Sequence, residues 1–157
     1  MKIAICPGTF DPVTLGHVDI IERGLKVFDR IIVGVTAGSS KPVLFSVEER
    51  VRFLREVFHN RKDVEIKAFE GLLVDFARKE GVHAVLRGLR TVSDFEYEVQ
   101  MAAANRFMSP QLETFFVMTD GRYSHLSSSL IREILRFGGK VTGMVPPQLE
   151  TLLQVKK

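Results

Sequence analysis

The stretch Arg30-Ile31-Ile32-Val33-Gly34-Val35-Thr36 decides the fold. Its apolar, mostly β-branched residues run on with hardly a polar break, whereas a strand with one wet face alternates. Such a run is a strand covered on both faces, and the cover requires helices above and below a parallel sheet. Working outward, residues 2–6, 64–69, 84–86 and 114–118 read as four further short strands. Segments with helical spacing separate them, at 16–28, 72–80, 94–108 and 128–137, the last stopped by Gly138-Gly139. Ser46-Val47-Glu48-Glu49 is a capping box, in which hydroxyl and carboxylate each satisfy an amide at a helix start. Val47, Val51, Leu54 and Phe58 then form one apolar stripe. Pro146-Pro147 opens a predicted final helix over 146–155. Strand alternating with helix predicts right-handed crossovers and an α/β fold, a doubly wound, five-stranded parallel sheet flanked by helices. Ligands of such sheets bind beyond the carboxyl ends of the strands.

Composition narrows the function. The 157 residues match one domain of about 150, so a single unit over 1–157 is expected. With 45% hydrophobic and 26% charged residues the chain is globular, not disordered, collagen-like or coiled-coil. Lys plus Arg total 22 against 19 acids, and the net charge of +3 is too small to point to nucleic acid. Cys6 is the sole cysteine, which excludes an intrachain disulfide or a cysteine zinc cluster and fits a reducing, cytoplasmic setting. It reads as a small buried residue at a strand end. The first apolar run is too short for a signal-peptide core, and no stretch approaches the ~20 residues of a membrane helix, so neither export nor a membrane partner is expected.

Chemistry gathers at three predicted strand ends. After the first strand, Gly16-His17 opens a helix, where backbone amides and the macrodipole favour an anion and an imidazole can donate to a phosphoryl oxygen. A histidine that only caps or packs the helix start suits the same position. The segment contains neither G-x-x-x-x-G-K-[ST] nor G-x-G-x-x-G, which weakens P-loop and dinucleotide readings. After the fourth strand, Arg87-Gly88-Leu89-Arg90 presents two guanidinium forks suited to phosphate, or else two surface arginines paired with Asp94 and Glu96. After the fifth, Tyr123-Ser124-His125-Leu126-Ser127-Ser128-Ser129 leads into the helix containing Arg132; capping explains one serine, and three at the sheet's mouth point to phosphate contacts. Lys41 follows the second strand, placed either to track a phosphoryl group or simply to be solvated. His59, His83 and His125 lack metal-ligand spacing, and no protein-held metal is expected.

Thr14-Leu15-Gly16-His17 and Leu126-Ser127-Ser128-Ser129-Leu130-Ile131-Arg132 together resemble the paired signatures of the nucleotidyltransferase superfamily. Pro7-Gly8-Thr9-Phe10-Asp11-Pro12, Arg87-Gly88-Leu89-Arg90 and Asp94-Phe95-Glu96-Tyr97-Glu98 look like its bacterial phosphopantetheine-adenylylating branch. Thr14 stands where the related mononucleotide branches usually have His, and the likeness covers essentially the whole chain.

The resemblance implies a Rossmann-like nucleotidyltransferase fold and an enzyme of coenzyme A biosynthesis. It would join ATP and 4'-phosphopantetheine into dephospho-coenzyme A and pyrophosphate by direct in-line attack. By the same resemblance His17 would stabilise charge on the α-phosphoryl oxygens, and Thr9 and Lys41 would hold the attacking phosphate. Arg87 would bind the phosphopantetheine side, and the backbone at Leu73 would meet the pantetheine arm. Thr9, Phe10, His17, Gly88, Leu89, Arg90, Glu98 and Tyr123, Ser124, His125, Leu126, Ser127, Ser128 and Ser129 would enclose ATP, with Arg90 and the serines on the β- and γ-phosphates. Mg²⁺ would arrive with the nucleotide. The family's hexamers imply a homohexamer, and coenzyme A is a candidate feedback ligand. Val99, Met101, Ala102, Phe107 and Met108 suit either an interface or core packing. Transfer to nicotinate mononucleotide, use of CTP, and a non-catalytic adenine-nucleotide sensor are the rival readings.

Overall fold

The computed structural model of the protein describes residues 1–38 and 42–153. Its elements follow the predicted alternation: β1 (Ile3–Gly8), α1 (Leu15–Gly24), β2 (Arg30–Ala37), α2 (Val47–Val57), β3 (Val64–Glu70), α3 (Leu73–Glu80), β4 (Ala84–Leu89), α4 (Val92–Met108), β5 (Glu113–Met118) and α5 (Ser128–Arg136). All neighbouring strands are parallel, and the sheet order is β3-β2-β1-β4-β5. The chain winds outward from β1 to β3, then crosses back to place β4 against the other side of β1. That reversal makes the β1/β4 boundary the switch point at which such sheets open a crevice. β1 and β4 share one registered pair, Ile5 with Val85, and beyond it Cys6, Pro7 and Gly8 line a cleft with Leu86, Arg87 and Gly88.

The continuous apolar strands feed two cores. Ala4, Cys6, Ile31 and Val33 point to one face, where Ile21 of α1, Leu54 of α2 and Ile131 of α5 cover them. Ile5 and Ile32, the residues between, point to the other, against Val74, Phe76 and Ala77 of α3. Two-residue periodicity thus places every residue of β2's centre in a core. On α4 only Glu98 and Asn105 are buried, while Phe95, Tyr97, Met101 and Phe107 are exposed.

Three expectations are corrected. α1 stops at Gly24 rather than Phe28. A Cβ at Gly24 would stand 2.8 Å from Ile31 Cδ1, so the bare glycine lets the helix end close onto the sheet, and Phe28 turns into the core. β4 continues through Leu89, so Arg87 to Leu89 belong to the strand itself and not to a loop after it, their partners being Phe116 to Met118 of β5. Over the described part of the predicted final helix there is a single 3-10 turn, Pro147–Leu149, and residues 154 and 155 lie outside the described residues. Leu149 and Leu153 of this segment are fixed by burial.

Candidate active site

The cleft at the switch point has a volume of about 430 Å³ and is walled by the first loop, the end of β4 and the start of α5. The first loop turns sharply. Phe10 adopts a positive φ of 51°, the Asp11–Pro12 peptide is cis, and the Phe10 ring is 4% exposed. A left-handed backbone at a bulky residue is costly and persists only where its surroundings fix it. Here the buried ring meets the His17 imidazole edge-on, with centroids 4.9 Å apart.

Thr14 caps α1. Its hydroxyl accepts the His17 N–H at 3.2 Å, while His17 Nδ1 accepts the Thr14 N–H at 2.9 Å. A capping box usually employs a carboxylate for that return bond; this one employs an imidazole and thereby assigns its tautomer. Nδ1 is the acceptor, so the neutral ring carries its proton on Nε2. Burial, then the charges of Arg87 and Arg90, push the His17 pKa down to about 4. The ring is therefore a neutral hydrogen-bond donor around pH 7. Cys6 is pushed up to about 11 by burial, which leaves an inert thiol, as its strand-end position predicts.

Arg87 donates through Nε at 2.9 Å and Nη2 at 2.5 Å to the two Glu98 oxygens, and through Nη1 at 2.6 Å to the Pro7 carbonyl. Burial opposes its charge, but Glu98 outweighs burial and holds its pKa above the ordinary arginine value. Its partner is thus Glu98, reached from the second turn of α4, rather than Asp94 or Glu96. Arg90 does pair with Asp94, at 3.3 Å, and also donates to the Leu126 carbonyl at 2.7 Å, tying β4 to the serine segment. Gly88 sits so close to α1 that a Cβ would stand 2.8 Å from Ile20 Cγ1.

The three serines divide their tasks. Ser127 caps α5 by accepting the Leu130 N–H, Ser128 donates to the Pro12 carbonyl at 2.8 Å, and Ser129 accepts from Arg132 at 3.0 Å. Arg132 also donates to the Asp11 carbonyl at 2.9 Å. Two of the hydroxyls thus bind the α5 start to the first loop or to Arg132, and Ser127, Ser128 and Ser129, at a helix start whose first amides lack helical acceptors, line the cleft.

Of the sequence-predicted residues, Thr9, Phe10, His17, Arg87, Gly88, Arg90, Glu98, Leu126, Ser127, Ser128 and Ser129 line this one cleft. Leu89 is buried at the end of β4, and Leu73 opens α3 and packs against the second core. Tyr123, Ser124 and His125 lie in the loop before α5, outside the cleft wall; Tyr123 Cβ is 3.7 Å from where Gly16 would carry a Cβ. Lys41 lies outside the described residues, and its neighbour Pro42 lines the cleft. Sequence reasoning passed over Asp11, whose carboxylate accepts the Leu44 and Phe45 N–H groups at 2.8 and 2.9 Å. It also passed over Arg50, a charged residue on the buried face of α2. The signal for Arg50 was present: it falls within the stripe of Val47, Val51 and Leu54.

The model of the cytidylyltransferase-like family matches residues 5–134, and the chain belongs to that family. Over 153 residues it is 54% identical to the phosphopantetheine adenylyltransferase of Moorella thermoacetica (strain ATCC 39073 / JCM 9320), covering 98% of this chain and 96% of the relative. Among solved structures it resembles a bifunctional NMN adenylyltransferase/ADP ribose pyrophosphatase from Francisella tularensis, with a TM-score of 0.68 at 15% identity. That likeness covers 94% of this chain but 44% of the other, and it bears on the fold alone.

Proposed function

We propose that this protein transfers the adenylyl group of ATP to 4'-phosphopantetheine, giving dephospho-coenzyme A and pyrophosphate in coenzyme A biosynthesis. The observation that carries the reading is the convergence of a neutral, Nε2-protonated His17, Arg87, Arg90 and the serine-rich start of α5 on one cleft. The close relative of the same printed activity names the acceptor. The acceptor phosphate attacks the α-phosphorus in line and pyrophosphate leaves opposite, so positioning and charge stabilisation suffice without a covalent intermediate. His17 donates from Nε2 to an α-phosphoryl oxygen as charge builds there. Its Nδ1, held by the Thr14 N–H, keeps the ring in the donating tautomer.

Thr9 and Lys41 hold the attacking phosphate, and Arg87, braced by Glu98, faces the same substrate. Arg90 and Ser127 to Ser129 meet the β- and γ-phosphates, while Phe10, Gly88, Glu98 and Leu126 on the cleft wall enclose the nucleoside, with Leu89 and residues 123–125 outside that wall completing the enclosure. Leu73 begins α3 after β3 and so belongs to the same carboxyl rim, within reach of a long pantetheine arm. The carboxylates of Asp11, Asp94 and Glu98 are engaged by backbone amides or arginines, so Mg²⁺ belongs on the triphosphate oxygens rather than in a protein cage. Bound there, it would neutralise charge on the leaving pyrophosphate. The exposed apolar side chains of α4, with Phe115 and Met118 of β5, support assembly as a homohexamer. Coenzyme A, which shares parts with both substrates, is a feedback ligand for this cleft. A cytoplasmic setting suits the single buried thiol; no helix among the described residues is long and apolar enough to cross a membrane.

Mass-spectrometric identification of the product from ATP and 4'-phosphopantetheine tests the reading. Dephospho-coenzyme A is expected. Pyrophosphate released only with nicotinate mononucleotide, or only with CTP, would reassign the substrate, and nucleotide binding without turnover would favour the sensor.

A further inference from the structure

Arg50 projects from the buried face of α2 and is 4% exposed. A buried guanidinium is costly unless its donors are satisfied. Here they reach three main-chain carbonyls on three separate stretches: Nη1 donates to Thr9 O at 2.7 Å and to Thr36 O at 3.0 Å, and Nε donates to Phe45 O at 3.1 Å. Burial lowers the pKa of Arg50, while the carboxylates of Asp11 and Glu48 act against the fall. Thr9 belongs to the first loop, Thr36 to the end of β2, and Phe45 to the segment entering α2. One planar fork therefore joins the cleft wall to both ends of the β2–α2 connection. Asp11 grips the same segment from the other side, accepting the Leu44 and Phe45 N–H groups, so the Phe45 residue is held by its amide and its carbonyl together. The Thr36 hydroxyl adds a further tie, to Gly8 O at 3.3 Å.

We infer that Arg50 is a positioning residue for the acceptor half of the reaction, its guanidinium fixing Thr9 against the end of β2 and the entrance of α2 so that the attacking phosphate is held in line. The inference rests on the functional reading above. It places Arg50's larger effect on phosphopantetheine, because Thr9 holds the attacking phosphate whereas the groups assigned to the β- and γ-phosphates of ATP, Arg90 and Ser127 to Ser129, come from β4 and α5. The fork is what matters. A lysine keeps the charge but concentrates its donors on one atom, which cannot reach three divergent carbonyls in the same geometry.

The test is Arg50→Lys, assayed by steady-state kinetics with both substrates varied and by calorimetric ATP binding, with a thermal melt to confirm folding. The expected result is a loss of about 10- to 100-fold in kcat/KM for phosphopantetheine, the scale of a misplaced reactant, with the ATP Kd within about twofold of the parent. Wild-type kcat and KM in a folded variant would overturn the inference, even with a lowered Tm, since that is the signature of a purely structural arginine. Equal losses for both substrates would overturn it too. If the variant does not fold, hydrogen exchange on the unsubstituted protein decides: phosphopantetheine should slow exchange at Leu44 and Phe45 more than a non-hydrolysable ATP analogue does, and no such difference sinks the idea. An unsubstituted protein that makes no dephospho-coenzyme A would instead refute the functional reading itself.

Discussion

Around β3, at the outer edge of the sheet, cations answer carboxylates: Arg61 pairs with Glu22 and Asp63, and Lys67 with Glu65 and Glu80. At the carboxyl rim the arginines reach further. Arg50, Arg87, Arg90 and Arg132 each donate to main-chain carbonyls of a distant segment, namely Thr9, Pro7, Leu126 and Asp11. The edge pairs leave Arg61 34% and Lys67 36% exposed, where water screens them and side-chain entropy offsets the attraction. At the rim the same residue type ties loops together, and Arg87 and Arg90 add to burial in keeping His17 neutral. Ion pairs at the edge decorate a fold that exists without them, whereas guanidinium-to-backbone bonds at the rim set the geometry of the cleft.

His17→Ala should produce the largest contrast between the two regions. Removing one preorganised donor to a developing oxyanion typically costs about 10²- to 10³-fold in turnover. The ATP Kd should change far less, because the bond strengthens in the transition state. Single-turnover rates alongside equilibrium binding of ATP check the split. Arg87→Met comes next. It leaves the Glu98 carboxylate buried without its partner, at an expected cost of about 2–3 kcal/mol in a urea melt, below the fully buried range because Arg87 is 32% exposed. Phosphopantetheine affinity should fall with it; an unchanged Kd would remove Arg87 from the acceptor site.

Smaller again is the acid response of His17. Its pKa is about 4 in the folded chain against an ordinary histidine value of 6.5. As pH falls from 6.5 towards 4 the unfolded chain takes up the proton first, so stability present above 6.5 is lost through that window, on the order of 2 kcal/mol from this group. His17→Gln should flatten the dependence in melts at pH 7 and 4.5, and equal slopes would contradict the lowered pKa of His17. Arg61→Ala at the edge should cost under about 1 kcal/mol and leave kcat/KM unchanged. A loss as large as that of Arg87→Met would erase the distinction between edge and rim.

The cleft was legible in part because its residues sit at strand ends that periodicity and capping locate. Thr14-Leu15-Gly16-His17, Arg87 and Ser127 to Ser129 fall on the carboxyl side of three parallel strands, and tertiary folding brings them to one wall. The sequence marks Glu98 as a nucleotide contact but not as the partner of Arg87, since that bond joins the end of β4 to the second turn of α4. An arginine inside an apolar stripe, as Arg50 is, reads in sequence as a break in the pattern. Only the carbonyls of Thr9, Thr36 and Phe45 reveal what the break is for.

The chain's own order of residues determined the alternation of elements, the burial of β2 on both faces and the helix starts at Ser46 and Ser127. These follow from side-chain periodicity and from caps acting over three or four residues. Only the tertiary structure decided that β4 lies beside β1, that Arg87 and Arg90 come up to His17, and which arginine meets which carbonyl. Arg132 and Asp11 are 121 positions apart, and Arg87 and Pro7 are 80. No local preference spans such distances; the crossover that reverses the sheet brings them together, and with them the site.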